Sequence, residues 1–157
     1  VCLDAGPGIG QIVETFEGSK AFHCVVAISE TEAIGAEPGG AKIRPIDYWP
    51  NAVWTEFDLT DAQRQGIADW ARAREGRPYA YLDIAVLAVH LKTGWPIPNW
   101  LGWWMSLDVA YICSELAACA LAYGAGLKPF GKRWPGTVTP GDWYSYLCSV
   151  NAPVQEK

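Results

Sequence analysis

Residues 53–76, VWTEFDLTDAQRQGIADWARAREG, contain the change of period that decides the fold. Up to Leu59 the side chains alternate: Trp54, Glu56 and Asp58 share one face of an extended segment, and Thr55, Phe57 and Leu59 share the other. From Thr60 the spacing is helical. Thr60 and Gln63 form a capping-box pair, each satisfying a backbone N–H that the helix start leaves unpaired. Ile67, Trp70 and Ala71 fall on one face, and Gly76 stops the run.

Upstream of that boundary the chain reads as strands. Gln11–Phe16, Ala21–Ser29, Glu32–Ala36, Lys42–Asp47 and Val53–Leu59 are short and rich in Val, Ile and aromatics. Gly18-Ser19, Pro38-Gly39-Gly40 and Pro50-Asn51 supply the turns between them, and such short connections favour antiparallel pairing. Downstream, a second helix is expected near Tyr81 to Lys92; it is apolar nearly all round, which predicts burial, and Gly94 ends it. Gly94–Trp104, with two prolines and four tryptophans, reads as a long irregular loop. A third helix runs from about Cys113 to Tyr123, with Gly124 and Gly126 beyond it, and Thr139-Pro140 opens a short fourth one. No repeat, low-complexity tract or linker divides the chain, so residues 1–157 read as one α+β domain.

Composition narrows the function classes. Half of the 157 residues are hydrophobic and 18% are charged, which excludes a disordered chain. The net charge is −5 with the charges scattered, so no basic face exists to follow a nucleic-acid backbone. The longest apolar stretch, Ile84 to Leu91, is too short to cross a bilayer, and the reading is of a soluble domain, either cytoplasmic or delivered to a cell envelope. Val1 at the start suggests a trimmed initiator or leader, without a signal-peptide pattern remaining. The five cysteines form no CxxC pair and show no zinc-site spacing, so no zinc site is expected, and an odd count leaves at least one free thiol. Nothing in the pattern indicates an oligomeric state.

The chemistry-bearing residues are few. His23, in AFHCVVAI, lies on a buried-looking strand, and His90 lies late in an apolar helix. Cys113 opens the third helix, where the positive end of the helix dipole stabilises a thiolate and unpaired N–H groups can hold an oxyanion. Glu115, in the same first turn, would oppose a thiolate if it pointed the same way. Cys24 is adjacent to His23 on a strand and so faces away from it; Cys119 is too far round and along the helix from Cys113; Cys2 and Cys148 lie near the termini. Cys113 is the best nucleophile candidate and His23 the best base.

The series FHCVVAI, AIGAEPGGAKIRPID, FDLTDAQRQGIADWARAREGRPYAY, YICSELAACALAYGAG and TVTPGDW resembles the circularly permuted papain-like branch of the NlpC-type cysteine peptidase superfamily, the YiiX/YaeF-like amidases. It covers roughly Gln11 to Trp143, and His23 precedes Cys113 as the permutation requires. The resemblance implies an α+β fold in which an antiparallel sheet or partly closed barrel packs against the Cys113 helix. It implies Cys113 as nucleophile and His23 as base in amide hydrolysis through a thioester, with no cofactor. The substrate would be a peptide- or acyl-type molecule, murein among them, and the setting bacterial or phage wall remodelling. The alternatives are a lipid acyl hydrolase or acyltransferase on the same scaffold, or an inactive binding protein.

A third group should orient the imidazole. Glu37 is the candidate, with Asp47 and Glu32 as alternatives; the family's acidic residue often directly precedes the Ala, where this chain has Gly35 before Ala36. Tyr79 matches a tyrosine that in the family often abuts the nucleophile, as an oxyanion donor or as packing. Trp95, Trp100, Trp103 and Trp104 offer flat faces for one wall of a substrate cleft, or else close the core over the second helix, and their segment lacks the Lys or Arg that anionic lipid would attract.

Overall fold

The computed structural model describes residues 2–3, 23–50, 52–55, 57–150 and 154–156. The expected strand Gln11–Phe16, the Gly18-Ser19 turn, Asn51 and Glu56 lie outside the described residues. Among the described residues the architecture is mixed α+β with five α-helices. The strands are β1 (Cys2–Leu3), β2 (His23–Cys24), β3 (Val26–Ala27), β4 (Glu32–Glu37), β5 (Gly40–Pro45), β6 (Val53–Thr55) and β7 (Val154–Glu156). The helices are α1 (Asp61–Arg72), α2 (Tyr81–Thr93), α3 (Asn99–Met105), α4 (Cys113–Ala125) and α5 (Pro140–Ser149).

Among the described residues all strand pairs are antiparallel and form two small sheets, ordered β2-β1-β6-β7 and β3-β4-β5; the second has the short connections expected, and neither closes into a barrel. The expected single strand Ala21–Ser29 breaks at Val25. His23 pairs with Leu3 and Cys24 with Cys2, whereas Val26 pairs with Ile34 and Ala27 with Ala33. A strand that changes partner after two residues hands the chain from one sheet to the other instead of closing a ring. The segment expected as Val53–Leu59 stops at Thr55, and Phe57 and Leu59 pack on the core from an irregular stretch.

The capping signals act as read. Thr60 Oγ1 accepts from Gln63 N–H at 3.3 Å while Gln63 Oε1 accepts from Thr60 N–H at 3.0 Å. A second box, Thr139 with Asp142, opens α5 with Pro140 as first helical residue. Helix α4 runs two residues further than expected and ends at Gly126, whose φ of 71° needs a glycine. Ile67 and Ala71 are buried, and Trp70 stacks on Tyr123 at 5.9 Å between ring centroids.

Two expectations are corrected. Helix α2 is not buried all round: only Asp83 and Leu87 are buried, while Tyr81, Leu82, Val89 and Leu91 are exposed. Its inner face meets a small cluster of Ala80, Met105 and Ile112, too small to cover a helix. The 94–104 segment is not wholly a loop. Its prolines, at 96 and 98, both precede Asn99, so Pro98 serves as N-cap and α3 follows it.

The main core lies between α4, α1, α5 and one face of the strands, with Cys24, Val26, Ile34, Ala36, Leu116, Ala120, Trp143 and Leu147 buried in it. A second cluster, Val25, Ala33 and Ala52 with Trp49 and Trp54 packed against it, joins residues of both sheets. Among the described residues, no helix is long and apolar enough to cross a membrane.

Candidate active site

Cys113 is the first residue of α4, and Ile112 before it is extended. The approach to that start is held from three sides. The Tyr111 N–H donates to Pro78 O at 3.0 Å and the Ala80 N–H to Tyr111 O at 3.1 Å, so Tyr79 lies in a backbone ladder with Tyr111. The Tyr111 hydroxyl donates to Asp108 Oδ1 at 2.5 Å, and Arg74 Nη2 donates to Asp108 Oδ2 at 2.7 Å. Inside the helix Ser114 Oγ donates to Val138 O at 2.6 Å, and Trp143 Nε1 donates to Ser114 O at 3.0 Å. A short helix turn pinned at 111, 114 and 143 presents its leading thiol in a fixed direction.

Burial raises Asp108, but the Tyr111 hydroxyl and the Arg74 guanidinium outweigh it and hold the carboxyl below its ordinary range. Tyr79 is half-buried in a T-shaped contact with Tyr81 at 5.0 Å. Burial first, and then the nearby Cys113 thiol, push its phenol up, so it stays a proton donor. Tyr79 and Cys113 are thus neighbours.

His23 stands on the other face of its strand from Cys24, as alternation requires. Cys24 joins the core with Cys113, whereas the imidazole lies over Gly35 and 6.4 Å from the Trp49 ring. A methyl group at Gly35 would come within 3.0 Å of His23 Nε2 and 2.8 Å of Val25 Cγ1. The place expected of an orienting acid is therefore taken up by the histidine ring itself. Nε2 is sealed from solvent, and burial lowers the imidazole to about 4, so it is neutral at pH 7. At strand level β2 and β4 pack on α4, while β3 packs on α1.

Glu37 is on the Gly35 face of β4, two residues on, and pairs with Arg44 Nη2 at 3.4 Å. Glu32 lies 3.9 Å from Arg72, and Asp47 is exposed in a 3-10 turn. His90, with Nδ1 2.6 Å from Trp95 O, belongs to the far end of α2. Trp103 and Trp104 are exposed on α3. Cys119 is buried and Cys148 exposed; no disulfide forms among the described residues, nor does any cluster of three His, Cys, Asp or Glu suited to a metal.

The sequence names Glu115 beside Cys113 but does not show that Asp83 approaches it. Glu115 is fully buried, and neither of its oxygens has a hydrogen-bond partner among the described residues. Burial first, then Asp83, raise its pKa well above the carboxylate range; the Ile112 N–H opposes this without reaching hydrogen-bonding geometry. Burial thus favours the neutral form of Glu115, which opposes a thiolate less than a charged carboxylate would. Its position three residues into the helix was visible in the sequence, but its burial was not.

Asp83, also buried, is raised by burial to about 6. The folded state therefore holds this proton between about pH 4 and about pH 6, where the unfolded chain has released it. The sign follows: wild-type stability falls as pH rises through that window, and the cost is complete above it. Asp83→Asn is expected to match wild type near pH 4 and to be more stable above pH 6, by up to about 3 kcal/mol. Urea unfolding at both pH values reads the difference directly.

Comparison of the chain with protein-family models, curated proteins and solved structures finds no match.

Proposed function

We propose that the protein is a cysteine hydrolase of permuted papain-like type, with Cys113 as nucleophile and His23 as base. The observation that carries this reading is Cys113 as the first residue of α4, with the strand that bears His23 packed on that helix. His23 is neutral at pH 7, the state a base needs. It takes the Cys113 proton, and the thiolate attacks an amide carbonyl. The oxyanion forms beside the N–H groups of the first turn and the Tyr79 hydroxyl. The imidazolium then gives its proton to the leaving amine, leaving a thioester. Water, deprotonated by His23, attacks the thioester; the acid departs and Cys113 regains its proton. Glu37 is the candidate for orienting His23.

The substrate class that fits the sequence resemblance is a cell-wall peptide or similar amide, with acyl lipid as the alternative for the same acyl-enzyme chemistry. Incubating the protein with murein peptides and with acyl lipids, and following products by mass spectrometry, separates the two; turnover of lipid alone reverses the order. A non-catalytic binding role is favoured by one observation, the burial that lowers the His23 imidazole to about 4 and so weakens it as a base. An acyl-directed thiol probe decides between these: labelling of Cys113 ahead of exposed Cys148 supports the hydrolase, and the reverse supports the binding protein.

A further inference from the structure

We infer that α3 and Trp95 form a docking surface for the interfacial zone of a zwitterionic phospholipid bilayer. Helix α3 places Trp100, Trp103 and Trp104 on one arc, at positions i, i+3 and i+4, and Gly102 and Met105 on the opposite one. The inner arc is committed: a methyl group at Gly102 would lie 2.8 Å from Trp134 Cδ1, and Met105 is buried. The outer arc is open. Trp95, Trp100, Trp103 and Trp104 are 74%, 70%, 54% and 43% exposed, and none of these four indoles belongs to a core cluster.

The chemistry of the patch selects its occupant. From Gly94 to Leu107 the chain carries no charged residue. Indole, with an apolar body and one N–H donor, suits the boundary between headgroups and acyl chains. Cations are few beside the patch: Lys92 is exposed just before Gly94. On α2, Leu82, Ala85 and Val89 are also exposed, along one arc of that helix. On the outer arc itself the side chains are the three indoles, with exposed Asn99 at its edge, one turn before Trp103. Without a basic stripe, attraction to anionic lipid plays no part.

The test uses the full chain with vesicles of phosphatidylcholine alone. Wild type is expected to sediment with them, to show a blue-shifted indole emission and to be quenched by brominated acyl chains, equally at low and high salt. The triple variant Trp100→Ser, Trp103→Ser, Trp104→Ser is expected to keep its thermal midpoint and lose partitioning at least about tenfold. Should the triple variant unfold, Trp100→Ser alone, with bromolipid quenching of wild type, reads the same contact. No sedimentation of wild type, binding that requires anionic lipid, capture only by a polysaccharide or protein, or unchanged partitioning of the folded variant overturns the inference.

Discussion

Gly66→Ala is expected to destabilise the protein by about 2–4 kcal/mol, lowering the thermal midpoint by about 10 °C, although alanine is the better helix former. Gly66 lies inside α1, where the exchange by itself would gain about 1 kcal/mol. The opposing term is contact. A methyl group there would lie 2.2 Å from the carbonyl oxygen of Gly124 on α4, and one at Gly124 would lie 2.6 Å from Cα of Ile67. Both obstacles are backbone, so no rotamer change relieves them, and the two helices must separate across the core that α4 fills. Gly126→Ala is the control: it has positive φ but nothing within 4 Å, so it costs only the left-handed conformation, about 1 kcal/mol. Chemical denaturation of the three proteins reads the contrast. A Gly66→Ala protein as stable as wild type would mean that α1 and α4 do not cross at these glycines.

The same pair marks how far the sequence is legible. Thr60 with Gln63, Thr139 with Asp142 and Gly126 act within one or two turns of themselves, so their consequences are local and were readable. Gly66 carries no sequence signal of its own and Gly124 read as a residue past the end of a helix, because their reason is a contact 58 positions away in the chain. Helix α2 failed in the other direction. Its apolar circumference predicts burial, but burial needs a partner on every side, and Leu82 and Val89 have none among the described residues. The prolines of 94–98 hid α3 for a related reason: they forbid a helix only up to the residue after them. For the candidate site, chain order and helix position singled out Cys113 and His23, and alternation put Cys24 opposite His23. Neither pattern reports that Gly35 makes room for the imidazole, or that Asp83 approaches Glu115, since both depend on how separate elements meet.

On the proposed mechanism, Cys113→Ala is expected to abolish hydrolysis of an activated acyl ester, a loss of at least about 10⁴-fold, and His23→Gln to slow acylation by about 10²–10⁴-fold. A pH profile separates a base from a packing residue. The base must be neutral, and burial holds His23 near 4 instead of the ordinary 6.5. Acylation by wild type should therefore persist as pH falls to about 5 and fail through about 4, where an exposed histidine would already be lost above 6. Stability moves with it. Protonating an imidazole that the fold keeps neutral costs stability as pH falls below 6.5, with the full cost reached at about 4, so the profile must be recorded where the protein is shown to be folded. Gly35→Ala supplies a second handle, because its methyl group would meet both Nε2 and Val25 and turn the ring without removing it. A positional role for the ring predicts that Gly35→Ala lowers the acylation rate while alkylation of exposed Cys148 is unchanged. Full activity in Cys113→Ala, or an acid limb near 6.5 that survives in His23→Gln, would remove these two residues from the chemistry and leave the scaffold as a binding protein.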